Sequence, residues 1–233
     1  MEHHEKRAIL VLESPWEMYK SDANRSSVLP FIEGIAKMTG DTEVYHANFY
    51  DKNSFKQALN CLCRTRFNST TIYIAAHGNK NTVGGVKIVD VLHLIGMKSR
   101  EYNITGIMFG TCLVGGNTTA MEVFVEGTNL KWCAGYSSTS TWFEGTLIDC
   151  AILASMSKLD SEDFSDESIL IDRFVQALAP FSNTFEIGKD CKKYLVCLED
   201  SMQFVIQPSG QGKHAKTVSS DVFETKKEYE MCI

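Results

Sequence analysis

Thr71-Ile72-Tyr73-Ile74-Ala75-Ala76-His77-Gly78 and Ile104-Thr105-Gly106-Ile107-Met108-Phe109-Gly110-Thr111-Cys112 are the two stretches on which the fold turns. Each is a short apolar run of strand-forming residues that stops at a chemically active side chain. Between them lie a Gly-turned hairpin at residues 83–90 (VGGVKIVD) and a short helix at 91–97. Strand, crossover and strand in that order make parallel neighbours.

The same alternation runs outward in both directions. Residues 7–14 (RAILVLES), 42–47, 71–76, 104–109 and 130–136 (LKWCAGY) read as five buried strands. Helices are predicted at 26–38, opened by a Ser cap with Pro30 in its first turn, and at 53–64, with Phe55, Ala58, Leu59 and Leu62 on one face. Three more are predicted at 118–126, 142–158 and 168–178. The acidic stretch 159–167 (LDSEDFSDE) reads as a solvated connector, and residues 193–199 and 202–207 as an antiparallel hairpin about Asp200-Ser201. The polar, Gly-rich residues 209–220 predict a flexible loop before a poorly anchored C-terminus. The fold class is therefore α/β: a three-layer α/β/α sandwich with a mostly parallel sheet and an antiparallel C-terminal edge hairpin. It is read as a single domain over residues 1–233, with 209–233 a partly flexible loop and tail.

Composition narrows the function classes. The 233 residues carry 23 Lys+Arg against 29 Asp+Glu, a net charge of −6 with no basic cluster, which argues against nucleic acid as a partner. The apolar run after the charged N-terminus is only residues 8–12, too short for a signal peptide or a membrane span, so no membrane association is expected. Several of the eight cysteines sit inside apolar runs such as Leu195-Val196-Cys197-Leu198, where a reduced thiol acts as a small hydrophobe. A reducing cytoplasm is the expected location.

In open α/β sheets, functional groups gather beyond the carboxyl ends of the strands. One such end offers the imidazole of His77 and the next the thiol of Cys112, 35 positions on (112 − 77). A thiolate is a nucleophile that a neighbouring imidazole can generate, and the same imidazole can protonate a leaving amine. Gly78, Gly115 and Gly116 would let backbone N–H groups approach an oxyanion. Taken singly, a strand-end Cys is more often a buried core thiol and His-Gly a turn, whereas both at adjacent strand ends favour chemistry. Other candidates carry less. Cys61 and Cys63 sit two apart in a helical pattern and face different ways, and His46 reads as a satisfied sheet histidine. No metal site is expected.

An apolar strand ending in His-Gly, followed by one ending in a small residue and Cys, resembles the caspase-like superfamily of cysteine peptidases. Caspases, metacaspases, legumain, gingipains, separase and the bacterial CHAT proteins belong to it. Cys133-Ala134-Gly135-Tyr136-Ser137 followed by Trp142-Phe143-Glu144-Gly145 is similar to the post-cysteine strand and helix of the CHAT-like members. The resemblance implies a caspase-like sheet, His77 as general base, Cys112 as nucleophile, and the N–H groups of Gly78 and Cys112 as the oxyanion hole. It further implies a protein or peptide substrate, bound by strand addition along Gly135, Tyr136, Ser137 and Ser138. No cofactor is implied, whereas resemblance to stand-alone bacterial members implies a role in stress or antiviral defence. Because a free cytoplasmic peptidase is hazardous, control by a partner protein or an activating cleavage is expected.

Two departures bear on specificity. Around Cys112 the sequence keeps only the Cys and a displaced Gly of the caspase signature. Arginine-specific members carry an Asp two residues before the Cys, where this chain has Gly110; Glu13, at the first strand's end, could attract a basic side chain or be a solvated strand-end charge. The alternative function is a non-catalytic interaction or scaffold module on the same fold.

Overall fold

The computed structural model describes residues 6–15 and 27–231. Met1–Glu5, Ser26 (the expected helix start) and Cys232 lie outside the described residues. In chain order the first half forms β1 (Arg7–Glu13), α1 (Leu29–Thr39), β2 (Thr42–Asn48), α2 (Lys52–Leu62), β3 (Ser69–Ala75), β4 (Thr82–Val83), β5 (Val86–Lys87), α3 (Ile88–Ser99) and β6 (Ile104–Gly110). The second half continues with α4 (Thr118–Val125), β7 (Trp132–Tyr136), α5 (Trp142–Met156), α6 (Glu167–Leu178), β8 (Glu186–Lys189), β9 (Leu195–Cys197), α7 (Leu198–Ser201), β10 (Met202–Ile206), β11 (Lys216–Thr217) and α8 (Ser219–Met231).

Seven strands make one sheet in the order β11-β10-β7-β6-β3-β1-β2. The five from β7 to β2 are mutually parallel, while β10 runs antiparallel to β7 and β11 antiparallel to β10. Alternating side chains of the central strands feed two cores, as a two-residue period requires. Ile9, Val11, Tyr73, Met108 and Trp132 pack on one face with residues of α1, α5, α6 and α8. Leu10, Leu12, Ile72, Ile74 and Phe109 pack on the other with those of α2, α3 and α4. This is the expected three-layer sandwich.

Local chemistry explains several boundaries. Asp51 accepts the Ser54 N–H (2.7 Å) and Ser54 Oγ accepts the Asp51 N–H (2.9 Å), a reciprocal cap that starts α2 with Phe55, Ala58, Leu59 and Leu62 buried. Replacing Asp51 by Ala is expected to cost about 1 kcal/mol in urea unfolding. α1 differs from expectation: its cap is Val28, which caps with no side chain, and Ser27 Oγ instead accepts the Leu29 N–H (3.2 Å).

Three further expectations are corrected. Residues 193–199 do not pair with 202–207, because α7 separates β9 from β10; β9 pairs with β8, and the antiparallel edge hairpin is β10 with β11. The acidic stretch is not a plain solvated connector, since Leu159 and Phe164 are buried and Asp160 bonds Arg7 (2.6 Å). The C-terminal residues form α8, which buries Val222, Phe223 and Lys226. No helix among the described residues is long and apolar enough to cross a membrane.

Candidate active site

β3 and β6 are neighbours in register, with Ala75 opposite Gly110. His77 and Cys112 each stand two residues beyond that pair, so both leave the sheet at the same end. His77 is exposed, and its carbonyl accepts the Gly84 N–H (2.8 Å) from the β4–β5 hairpin. Gly78 lies against the cysteine turn so closely that a Cβ there would sit 2.5 Å from the Cys112 carbonyl oxygen. Cys112 is partly buried, and Leu113 after it holds a left-handed φ of 66°, an uncommon state for a non-glycine residue that marks a constrained turn. The structure thus sets Gly78, the residue after His77, against the backbone of Cys112. Gly115 is instead buried against the backbone of Gly135.

The chain after β7 forms the other wall. Its backbone groups alternate: the Ser138 carbonyl accepts the Leu113 N–H (2.8 Å), and the Ser140 N–H donates to Cys112 Sγ (3.4 Å). On the opposite side the N–H groups of Thr139 and Thr141 donate to the carbonyls of Lys189 (2.9 Å) and Ile187 (3.1 Å) in β8. The thiol also donates to the Ser140 carbonyl (3.8 Å). Ser140 was not legible as a site residue, since nothing in a Ser/Thr-rich loop marks one member.

Strand addition along Gly135, Tyr136, Ser137 and Ser138 is corrected by this arrangement. Gly135 is paired on both sides, with Phe109 and Gln203, and Tyr136 pairs with Met202. The Ser137 N–H donates to Ser201 (2.7 Å), and Ser138 Oγ bonds Ser201 Oγ (2.7 Å). These backbone edges are already used, so an incoming peptide would have to displace β10 or the cysteine turn.

Glu13 is not a solvated charge either; it is 4% exposed. Oε1 accepts the Val28 N–H (3.0 Å), while Oε2 accepts the Ser27 hydroxyl (2.7 Å) and bonds His46 Nε2 (3.0 Å). Burial alone would raise its pKa, but these bonds, His46 foremost, bring it below the ordinary carboxylate value. A basic substrate side chain would have to break one of them. His46 is a bonded sheet histidine, as its sequence context indicated.

Sequence reasoning missed Asp149, which is wholly enclosed within α5. Its Oδ2 accepts the Tyr73 hydroxyl (2.7 Å) and its Oδ1 bonds the Tyr136 hydroxyl (2.7 Å), which also reaches the Gly145 carbonyl (3.1 Å). Burial pushes this carboxyl up to about 7 against the lowering effect of the two hydroxyls. The unfolded carboxyl titrates near ~4, so only the native state holds the proton between that value and 7. The resulting stabilisation is full below pH ~4 and is lost as pH rises through 7. Asp149→Asn, which cannot ionise, is expected to remove that slope, gaining up to about 4 kcal/mol on wild type between pH 4 and 8 in urea unfolding.

The described cysteines are free thiols. Burial raises Cys63 to about 11 and Cys150 to about 12, which keeps both protonated and inert. Thr111 Oγ1 and Trp142 Nε1 are buried and have no hydrogen-bond partner among the described residues.

No family model and no curated protein matches the sequence. Among solved structures the chain is similar to a secreted C11 cysteine protease from Bacteroides thetaiotaomicron in complex with an irreversible peptide inhibitor. The TM-score is 0.53 at 11% identity, covering 93% of this chain and 67% of that one. A second structure of a secreted C11 cysteine protease from the same organism, iotapain, aligns over 76% of this chain and 63% of that one, with TM-score 0.43 and 10% identity. The chain shares the caspase-like α/β/α fold of the first of these structures, with a mostly parallel seven-stranded sheet and an antiparallel edge.

Proposed function

We propose that this protein is a cysteine endopeptidase acting on protein or peptide substrates. The observation that carries the reading is the packing of Gly78 against the Cys112 carbonyl, which sets an imidazole-bearing strand end directly beside a thiol-bearing one. In the proposed cycle His77 takes the thiol proton and Cys112 Sγ attacks the scissile carbonyl carbon. The N–H groups of Gly78 and Cys112 hold the resulting oxyanion. Collapse breaks the C–N bond as His77 returns the proton to the leaving amine. Water, deprotonated by His77, then attacks the thioester, and the released thiol regains its proton. The chemistry asks for no metal or cofactor.

With the edges of residues 135–138 occupied, a substrate backbone pairing at Ser140 would have to take over the N–H and carbonyl that now bond Cys112 Sγ. An uncontrolled peptidase is hazardous in a cytoplasm, the expected location, so a partner protein or an activating event is part of this reading. Cleavage within residues 159–167 would have to expose the buried Leu159 or Phe164. A role in bacterial stress or antiviral defence is the biological setting proposed. The second reading, a non-catalytic interaction module, is favoured by one observation: Cys112 Sγ is bonded to both backbone groups of Ser140, as a structural thiol would be.

A mixed peptide library read by mass spectrometry separates the two. Cutting that both Cys112→Ala and His77→Ala abolish is the expected result. Cutting that survives Cys112→Ala would remove the mechanism.

A further inference from the structure

The wall of the site holds a cavity that nothing in the mechanism uses. Val28, Tyr73, Gly110, Ser140, Trp142 and Asp149 line it, and its volume is about 10 Å³, room for about one water molecule. Two features tie it to the thiol. Ser140 is the residue whose N–H and carbonyl both bond Cys112 Sγ. Gly110 ends β6 two residues before Cys112, so the strand that floors the cavity leads directly into the cysteine turn.

The floor of this cavity is filled from the helix side. A Cβ on residue 110 would lie 2.5 Å from Asp149 Oδ2 and 2.7 Å from Tyr73 Oη, so those two groups take the space a side chain there would need. Asp149 is also poorly placed to receive a cation, since each of its oxygens is already bonded to a tyrosine hydroxyl. A Lys or Arg head would have to displace one of these buried hydroxyls and leave it unpaired, which costs about 1–3 kcal/mol. Trp142, packed edge-on against Phe31 (centroids 5.7 Å apart), limits depth from the other side.

We propose that this cavity takes the substrate side chain on the acyl side of the scissile bond and selects small, uncharged residues: glycine, alanine or serine. The inference rests on the peptidase reading and names the substrate class of that site. Each methylene beyond alanine is expected to lower kcat/KM by roughly 10-fold or more, the usual discrimination of a filled pocket. Trp142→Ala, at the partly exposed start of α5, is expected to relax that penalty and admit leucine or methionine.

The test pairs the peptide library with peptidyl electrophiles that differ only in the residue next to the reactive group: glycine, alanine, leucine or lysine. The expected result is cutting after Gly, Ala and Ser, labelling of Cys112 by the glycine and alanine probes, and broadened cutting in Trp142→Ala. Cys112-dependent cutting after Lys, Arg or bulky apolar residues in the wild type leaves the peptidase standing and overturns the pocket assignment. The absence of both Cys112-dependent cutting and Cys112 labelling overturns the peptidase reading and the pocket with it.

Discussion

Cys112→Ala is expected to lower kcat/KM by about 10⁴-fold or more, and His77→Ala by about 10²–10⁴-fold, with both variants folded. The first substitution removes the atom that forms the thioester, so no other group can complete the covalent step; the second removes proton transfer, a contribution of about 10²–10⁴. The double variant should be no worse than Cys112→Ala alone, because the two residues act as a unit. Steady-state kinetics on a cleaved peptide from the library supply the comparison. Unfolding midpoints supply the control. Losing Cys112 Sγ leaves the Ser140 N–H without its acceptor, at a cost of about 1 kcal/mol, too small to unfold the chain.

Gly78→Ala is expected to be nearly as damaging to activity, although a methyl group carries no chemistry. The added Cβ would fall 2.5 Å from the Cys112 carbonyl oxygen, 3.1 Å from Thr111 Cβ and 3.2 Å from Val114 Cγ2, so the two strand ends must move apart. Displacing one oxyanion donor costs about 10²–10³ in kcat, and the overpacking about 1–3 kcal/mol of stability. Gly34→Ala is the matching control. That position in α1 has nothing within 4 Å of a built Cβ, so it should stabilise the protein by about 0.5–1 kcal/mol and leave kcat unchanged.

The five parallel strands were readable because β-branched and aromatic runs such as Ile72-Tyr73-Ile74 have one stable use, a strand buried on both faces. The buried face of α2 followed from its period for the same reason. The edge hairpin was misassigned because a polar pair, Asp200-Ser201, stands between two strand-like runs. What that pattern conceals is that Leu198 is buried in a short helical turn, which frees β9 to pair with β8. α8 escaped notice since SSDVFETKKEYEM buries few apolar side chains and shows little amphipathic pattern. At the site, His77 and Cys112 stand out in the sequence because each follows an apolar, strand-forming run. Asp149 had a signal that went unused: one acid inside the apolar run Leu147-Ile148-Asp149-Cys150-Ala151-Ile152 must be enclosed and bonded wherever that helix packs. Ser140 had none, because its role comes from backbone groups that every residue carries.

The central claim is that Cys112 is a nucleophile activated by His77. Its most direct test is competitive labelling with a peptidyl electrophile, mapped over all eight cysteines by mass spectrometry, in wild type and in His77→Ala. Exposed Cys61 and Cys191 serve as internal references. The label is expected on Cys112 ahead of both, with that preference lost in His77→Ala. Labelling of Cys61 or Cys191 ahead of Cys112, or a Cys112 rate indifferent to His77→Ala, would contradict it.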